Sequence, residues 1–175
     1  MGLVCLVVVR LTGCGKILVT IAVIEDCRAN EVGGLLVGIE IWELAILSQL
    51  LHNSETWTNI ENKTLGVLED IQLMFYRNMF ATPRTCPIPA LLWEAGGMLM
   101  ELRIDKKKLL FFHHILNLPD KSLAKDIAET QIEYNYPGLV TECLKLMEKY
   151  NLPENKNYTK KQWKKILDKA FEENF

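Results

Sequence analysis

The sequence predicts a mainly α protein, an irregular bundle of about six helices that follows an apolar N-terminal segment or β-hairpin. Two observations predict this fold class. After residue 39, apolar side chains recur at the three- and four-residue intervals of a buried helix face, and stretches rich in Pro, Asn or Gly separate these runs. The 175 residues are 49% hydrophobic and 24% charged, which fits one soluble domain and excludes a disordered chain.

The N-terminal segment, residues 3–24, is the most apolar part of the chain. Arg10 and Lys16 interrupt it, so no uncharged run approaches the roughly 18–20 residues of a membrane span, and Arg10 also breaks the apolar middle of a secretory signal. Val and Ile flank a turn sequence at residues 12–15, which predicts a β-hairpin. The alternative is an apolar segment that belongs to a larger domain and has lost its packing partners.

Three helices are predicted in the middle of the chain. The first covers residues 39–51, preceded by glycines, and is apolar on almost every side, so we expect it to be buried. The second runs from Asn62 to Phe80 and the third over residues 98–117. Between them, three prolines exclude a helix across residues 82–90.

Three further helices are predicted in the C-terminal part. After Pro119, one helix places Leu123, Ile127 and Tyr134 on one face. The next has an apolar stripe at Leu139, Cys143, Met147 and Tyr150. The last begins at Thr159, because Thr159 and Gln162 have the spacing of a capping box.

Metal, cofactor and small-molecule sites are not predicted. The five cysteines, at positions 5, 14, 27, 86 and 143, are scattered and odd in number, which favours reduced thiols. His113 and His114 are adjacent, so on a helix they point about 100° apart and do not clamp one ion. We expect His113 to be a hydrogen-bonded residue at the edge of the core.

No catalytic residue is predicted either. The chain lacks the adjacent aspartates that hold two cations in polymerase palms, and the acidic pairs at Glu25 and Glu69 diverge if they lie on helices. It also lacks the Gly-x-Ser-x-Gly motif of hydrolases. Residues 13–16 depart from a phosphate-binding loop, because Ile17 follows the lysine where Ser or Thr is required.

Charge is unevenly distributed along a chain whose formal net charge is −2. Residues 25–70 carry nine acids and two bases, whereas residues 71–118 and 156–175 each carry six bases and three acids. The basic residues form two groups, one at Arg103, Lys106, Lys107 and Lys108 and one at Lys160, Lys161, Lys164 and Lys165. Such groups bind phosphates without reading sequence. The alternative is a lysine face that only keeps the helices soluble.

Several segments, in this order, resemble the C-terminal part of non-LTR (LINE-like) retrotransposon polyproteins. The likeness runs from about Ile24 to Ile166. The segments that carry it are Ile24–Ala29, Val32–Gly34, Ile41–Glu43, Leu51–Trp57, Leu68–Gln72, Arg84–Glu94, Lys107–His114, Pro137–Leu139 and Gln162–Lys165. Single cysteines stand where some of these elements have a paired cysteine–histidine knuckle.

This resemblance implies a region that follows the reverse-transcriptase palm, separated from the polymerase and endonuclease chemistry of its family. It divides the chain into residues 1–23, outside the likeness, and a helical region over residues 24–175. It implies an intracellular, nuclear or cytoplasmic, non-catalytic fragment with non-specific RNA or DNA binding and a missing polymerase domain as partner. Without that domain, exposed apolar surface is expected, with Trp42, Ile46 and the first hairpin most at risk. The alternative function is a helical protein-interaction or structural module.

Overall fold

The protein is mainly α, as the sequence predicts. A computed structural model describes residues 6–11, 17–22, 32–153 and 158–173. Its α-helices are α1 (Val32–Ile41), α2 (Leu47–Leu50), α3 (Asn62–Met79), α4 (Ile88–Ala95), α5 (Met100–Leu116), α6 (Leu123–Tyr134), α7 (Leu139–Lys149) and α8 (Lys160–Glu173). A π-helical turn at Trp42–Ile46 joins α1 to α2, and a 3-10 turn covers Ser54–Thr56.

The N-terminal segment forms the predicted hairpin. Strands β1 (Leu6–Leu11) and β2 (Ile17–Ala22) pair antiparallel, with Leu6 opposite Ala22 and Leu11 opposite Ile17. The predicted turn at residues 12–15 lies outside the described residues.

The chain divides into two compact units. The first unit contains residues 1–52 and 69–97, and the second contains residues 53–68 and 98–175. The domain boundary that the resemblance implies, between residues 23 and 24, lies outside the described residues.

In the first unit, Trp42 and Ile46 are core residues, so the expectation that they would be exposed is wrong. Trp42 is 0% exposed and stacks on Phe75 of α3, with ring centroids 4.7 Å apart. The helical run is also less buried than expected, because Leu44 is 76% exposed. The reason is that one face of the run already meets the aromatic residues of α3, which leaves the opposite face outside.

Two predicted boundaries in the first unit are wrong. Helix α1 begins at Val32, seven residues before the predicted start, and includes the glycines predicted to precede it. At Gly38 a Cβ atom would lie 2.7 Å from the Met79 sulfur, so a larger residue there would require the Met79 side chain to shift. Helix α4 begins at Ile88, although residues 82–90 were predicted to contain no helix. Pro89 is tolerated because it lies in the first turn, where no backbone N–H is needed.

The core of the second unit is built around α5, which packs against α6, α7 and α8. Trp163, Leu167 and Phe171 form a completely buried stripe on α8 at four-residue spacing. The other core side chains of this unit are Leu102, Leu109, Phe112, Ile115, Ala128, Val140, Cys143 and Tyr150. This arrangement fixes which face of α8 meets solvent.

Helix α6 presents its predicted apolar face to solvent rather than to the core. Leu123 is 73% exposed and Tyr134 is 62% exposed, whereas Ala128, on another side of the helix, is buried. The described helices include none that is long and apolar enough to cross a bilayer.

Candidate nucleic-acid interface

Helix α8 is anchored by Trp163, which lies one turn into the helix. Its indole Nε1 donates a hydrogen bond to the Leu109 carbonyl of α5 (3.2 Å), and its ring stacks on His113 with centroids 5.7 Å apart. Tyr158 stacks on the indole as well. Because the indole is 0% exposed, it has no ring face left for a ligand.

The start of α8 has the capping box that the sequence predicts. The Thr159 backbone N–H donates to Gln162 Oε1 (2.9 Å), and the Gln162 backbone N–H approaches Thr159 Oγ1 at 3.4 Å. These reciprocal bonds satisfy donors that the first turn of a helix leaves without an intrahelical acceptor. They hold the first turn in place and fix the backbone on which the lysines stand.

Four of the five lysines of α8 lie in its first two turns, and all four are exposed. We call them the α8 basic face, which consists of Lys160, Lys161, Lys164 and Lys165. None of the ion pairs found among the described residues involves them. Lys160 and Lys161 lie in the first turn, where the positive end of the helix dipole disfavours cations, and Lys164 and Lys165 follow in the second turn.

The other basic group lies on α5, and we call it the α5 group: Arg103, Lys106, Lys107 and Lys108. The sequence predicts phosphate binding for this group as well, but its side chains contact other residues of the protein. Lys106 pairs with Asp168 of α8 (Nζ to Oδ1, 2.6 Å), and Arg103 Nε donates to the Met98 carbonyl (3.1 Å). Lys107 is half-buried and also interacts within the chain. The α5 cations are therefore engaged by the protein itself.

Lys108 is the most deeply placed of the α5 group, at 5% exposed. Its Nζ donates to Glu142 Oε2 of α7 (2.9 Å), while Glu142 Oε1 accepts from the Asn59 backbone N–H (2.7 Å). One carboxylate thus links α5, α7 and the loop after the 3-10 turn. Since removing one partner of a buried pair leaves the other uncompensated, Lys108 belongs to the packing of this unit.

No local sequence pattern signals Glu142 and Asp168, the carboxylates that pair with Lys108 and Lys106. Glu142 lies 34 positions from Lys108, and neither acid forms a local pattern with its lysine. Only the packing of α7 and α8 on α5 brings these charges together.

His113 is the hydrogen-bonded core-edge residue that the sequence predicts. It is buried, and its Nε2 lies 2.9 Å from the Tyr158 carbonyl oxygen. The Asn117 amide nitrogen lies 3.3 Å from the same Nε2, so this ring nitrogen has two polar neighbours. His114, its neighbour, is exposed, and both line an open groove of about 170 Å³ between the end of α5 and residues 158–160. Lys160 connects this groove to the α8 basic face.

The two cysteines whose side chains are described are both free thiols. Cys143 is completely buried, and burial raises the pKa of its thiol to about 12, so it is neither a nucleophile nor a ready metal ligand. Cys86 is half-buried on the first unit. Within the described ranges, no group of three or more His, Cys, Asp or Glu side chains could hold a metal ion.

A partly buried polar network that the sequence does not reveal joins α5 to the end of α7. Tyr150 Oη donates to Asp105 Oδ2 (2.8 Å), and Lys149 Nζ lies 2.9 Å from Glu101 Oε1 and 3.5 Å from the same Asp105 oxygen. Burial raises the pKa of the Asp105 carboxyl above its ordinary value, although the Tyr150 hydrogen bond and Lys149 oppose the shift. Burial also raises the pKa of Tyr150 to about 12. Asp105 and Tyr150 are buried, whereas the side chains of Lys149 and Glu101 are about half exposed, so the network lies at the edge of the core and links α5 to α7.

Comparison with known proteins assigns no family to this chain. No family model matches the sequence, and neither the curated proteins nor the solved structures gave a significant match.

Proposed function

We propose that this protein binds RNA or DNA without sequence preference through the α8 basic face. The observation that carries the proposal is the placement of Lys160, Lys161, Lys164 and Lys165 on the first two turns of an anchored helix, all exposed and with no ion-pair partner among the described residues. A polyanion would neutralise four like charges and the positive helix end together.

The proposed binding depends on phosphate contacts rather than base contacts. Trp163, the aromatic residue nearest the lysines in sequence, is buried against α5 and has no face for a base to stack on. Lysine is a point charge on a flexible stem, which contacts phosphates without fixing a base register. We therefore expect similar affinities for sequences of equal length.

The proposed interface excludes the α5 group. Lys106 and Lys108 pair with Asp168 and Glu142, and an anion would have to displace those carboxylates. The sequence predicts nucleic-acid contacts for both basic groups, and the proposed interface keeps only the α8 basic face.

We also propose that the chain is a non-catalytic piece of a retroelement reverse-transcriptase protein. Support comes from the ordered resemblance between Ile24 and Ile166 and from the lack of adjacent aspartates. In this role the helices hold nucleic acid for a polymerase domain, and the polymerase chemistry belongs to that domain. A primer-extension reaction with magnesium and an RNA template is expected to yield no cDNA, and synthesis of cDNA by the purified chain would overturn the non-catalytic role.

The binding proposal is tested by removing the charges of the α8 basic face. A variant with Lys160, Lys161, Lys164 and Lys165 all changed to Gln is compared with the parent chain by fluorescence anisotropy of a labelled single-stranded RNA. We expect the variant to bind at least about tenfold more weakly at low salt, because it loses the phosphate contacts.

The matched control removes four positive charges from exposed positions elsewhere. It changes Lys63, Arg84, Lys121 and Lys145 to Gln, so both variants have the same net charge. The control is expected to keep most of its affinity. Equal losses in the two variants would show that only net charge matters, and would contradict a defined interface on α8.

A further inference from the structure

We propose that the exposed apolar face of α6 is a docking surface for an amphipathic helix whose apolar stripe has Lys or Arg along one edge. The α6 apolar face consists of Leu123, Ile127, Tyr134 and the following Tyr136. The proposal is independent of nucleic-acid binding, because it uses a different helix and a different kind of contact.

The α6 apolar face is open to solvent, and Thr130 lies between Ile127 and Tyr134. Leu123, Ile127 and Tyr134 are spaced by four and seven residues, so they lie on one side of the helix, and they are 73%, 49% and 62% exposed. Tyr136 is 57% exposed and packs against Tyr134, with ring centroids 6.1 Å apart. From Leu123 to Tyr134 the face extends about 16 Å, or three turns of a partner helix.

The charges beside this face specify the partner. Asp126, Glu129 and Glu133 are exposed and spaced by three and four residues, so they form an acidic edge next to the apolar stripe. The single base of α6, Lys125, is bonded to Asp120. A helix with Lys or Arg along the facing edge would complement these acids, whereas a phosphate backbone would be repelled by them.

A second copy of α6 fits this surface less well. In an antiparallel pair of identical helices, each acidic edge would face the same edge of its partner, and like charges at such positions are destabilising. The basic helix of the same chain, α8, does not supply the partner either, because its apolar stripe is already completely buried.

The test uses two synthetic helical peptides as probes for the full chain. Both carry the same leucine stripe, and one has Lys along one edge where the other has Glu. Binding is followed by fluorescence anisotropy of the labelled peptides. We expect the Lys-edged peptide to bind at least about tenfold more tightly than the Glu-edged one.

Variants of α6 separate the apolar and the charged contributions. A double variant, Leu123→Ser with Ile127→Ser, is expected to weaken binding of the Lys-edged peptide at least about tenfold, since it removes exposed apolar contact area without touching the core. The double variant Asp126→Lys with Glu133→Lys is expected to reverse the peptide preference. Val67→Ser is the control, because Val67 is an exposed apolar residue of α3 in the same unit.

Several outcomes would overturn the proposal. These are equal binding of the two peptides, unchanged binding by the Leu123 and Ile127 variant, and a loss of equal size in the Val67 variant. A dimer in sedimentation equilibrium that the α6 variant abolishes would assign the face to a second copy instead. Binding of single-stranded RNA is expected to be unchanged in the α6 variants, so failure here is distinguishable from failure of the α8 interface. Circular dichroism confirms that each variant remains folded.

Discussion

At the scale of single residues, the charged groups of the second unit separate into paired and unpaired ones, and this decides which of them a ligand can reach. Lys108 is held by Glu142, and Lys106 is held by Asp168. The lysines of the α8 basic face have no such carboxylate among the described residues. A structural lysine therefore differs from one that a ligand can reach in the neighbours that the fold places beside it, and not in residue type.

Asp105 is expected to make stability depend on pH. Because its pKa is raised, the folded state binds more protons than the unfolded state above the ordinary Asp pKa of about 4. The free energy of unfolding should therefore fall as pH rises from about 4 through the raised pKa. Asp105→Asn removes this contribution, and its amide oxygen still accepts from Tyr150.

The measurement is urea denaturation of the parent chain and of Asp105→Asn over this pH range. The stability of the variant relative to the parent is expected to increase with pH. Glu148→Gln, which changes an exposed carboxylate of α7, serves as the control. A difference between Asp105→Asn and the parent that stays constant with pH would contradict the raised pKa.

The exposure of the α8 lysines follows from the sequence, because Trp163, Leu167 and Phe171 define the buried face of that helix. The burial of Lys108 does not follow. Its partner Glu142 is 34 residues away, and periodicity within α5 carries no information about which helix will lie beside it. The Asp105 network was missed for the same reason.

At the scale of helices, local signals predict ends well where the chain itself supplies the cap. The start of α8 follows from Thr159 and Gln162, and α5 and α7 lie within their predicted spans. The start of α1 was missed because glycine disfavours a helix, whereas Gly38 lies inside α1, close to the Met79 side chain. The orientation of α6 was also not predictable, since its apolar spacing is that of a buried helix whereas Leu123 and Tyr134 are exposed.

The capping box at the start of α8 is expected to contribute measurably to stability. Thr159→Ala should lower the free energy of unfolding by about 1 kcal/mol, because the first turn loses a hydrogen-bond acceptor. Gln162→Ala should give a smaller loss, and the double variant should lose less than the sum of the two, since both residues belong to one reciprocal pair.

Chemical denaturation of the parent chain, the two single variants and the double variant measures this double-mutant cycle. Thr85→Ala, at an exposed position between α3 and α4, controls for loss of a threonine alone. Strict additivity of the Thr159 and Gln162 changes would indicate that the two side chains do not act together.

At the scale of the whole molecule, the chain forms two compact units, and α3 begins in one and ends in the other. Composition and helical periodicity predict the mainly α class. They carry no information about contacts between distant residues, so they do not predict the division into two compact units. The exposed groups that point to function both belong to the second unit. They are the α8 basic face, to which we assign nucleic acid, and the α6 apolar face, to which we assign a helix.

The salt dependence of RNA binding tests the central claim most directly. Four lysine–phosphate contacts on a single strand predict that log K falls against log[salt] with a slope of about −3, or roughly 60-fold between about 50 and 200 mM salt. The chain with Lys160, Lys161, Lys164 and Lys165 changed to Gln should lose this slope. A steep slope that the variant keeps, or binding by the parent chain that hardly changes with salt, would contradict the account.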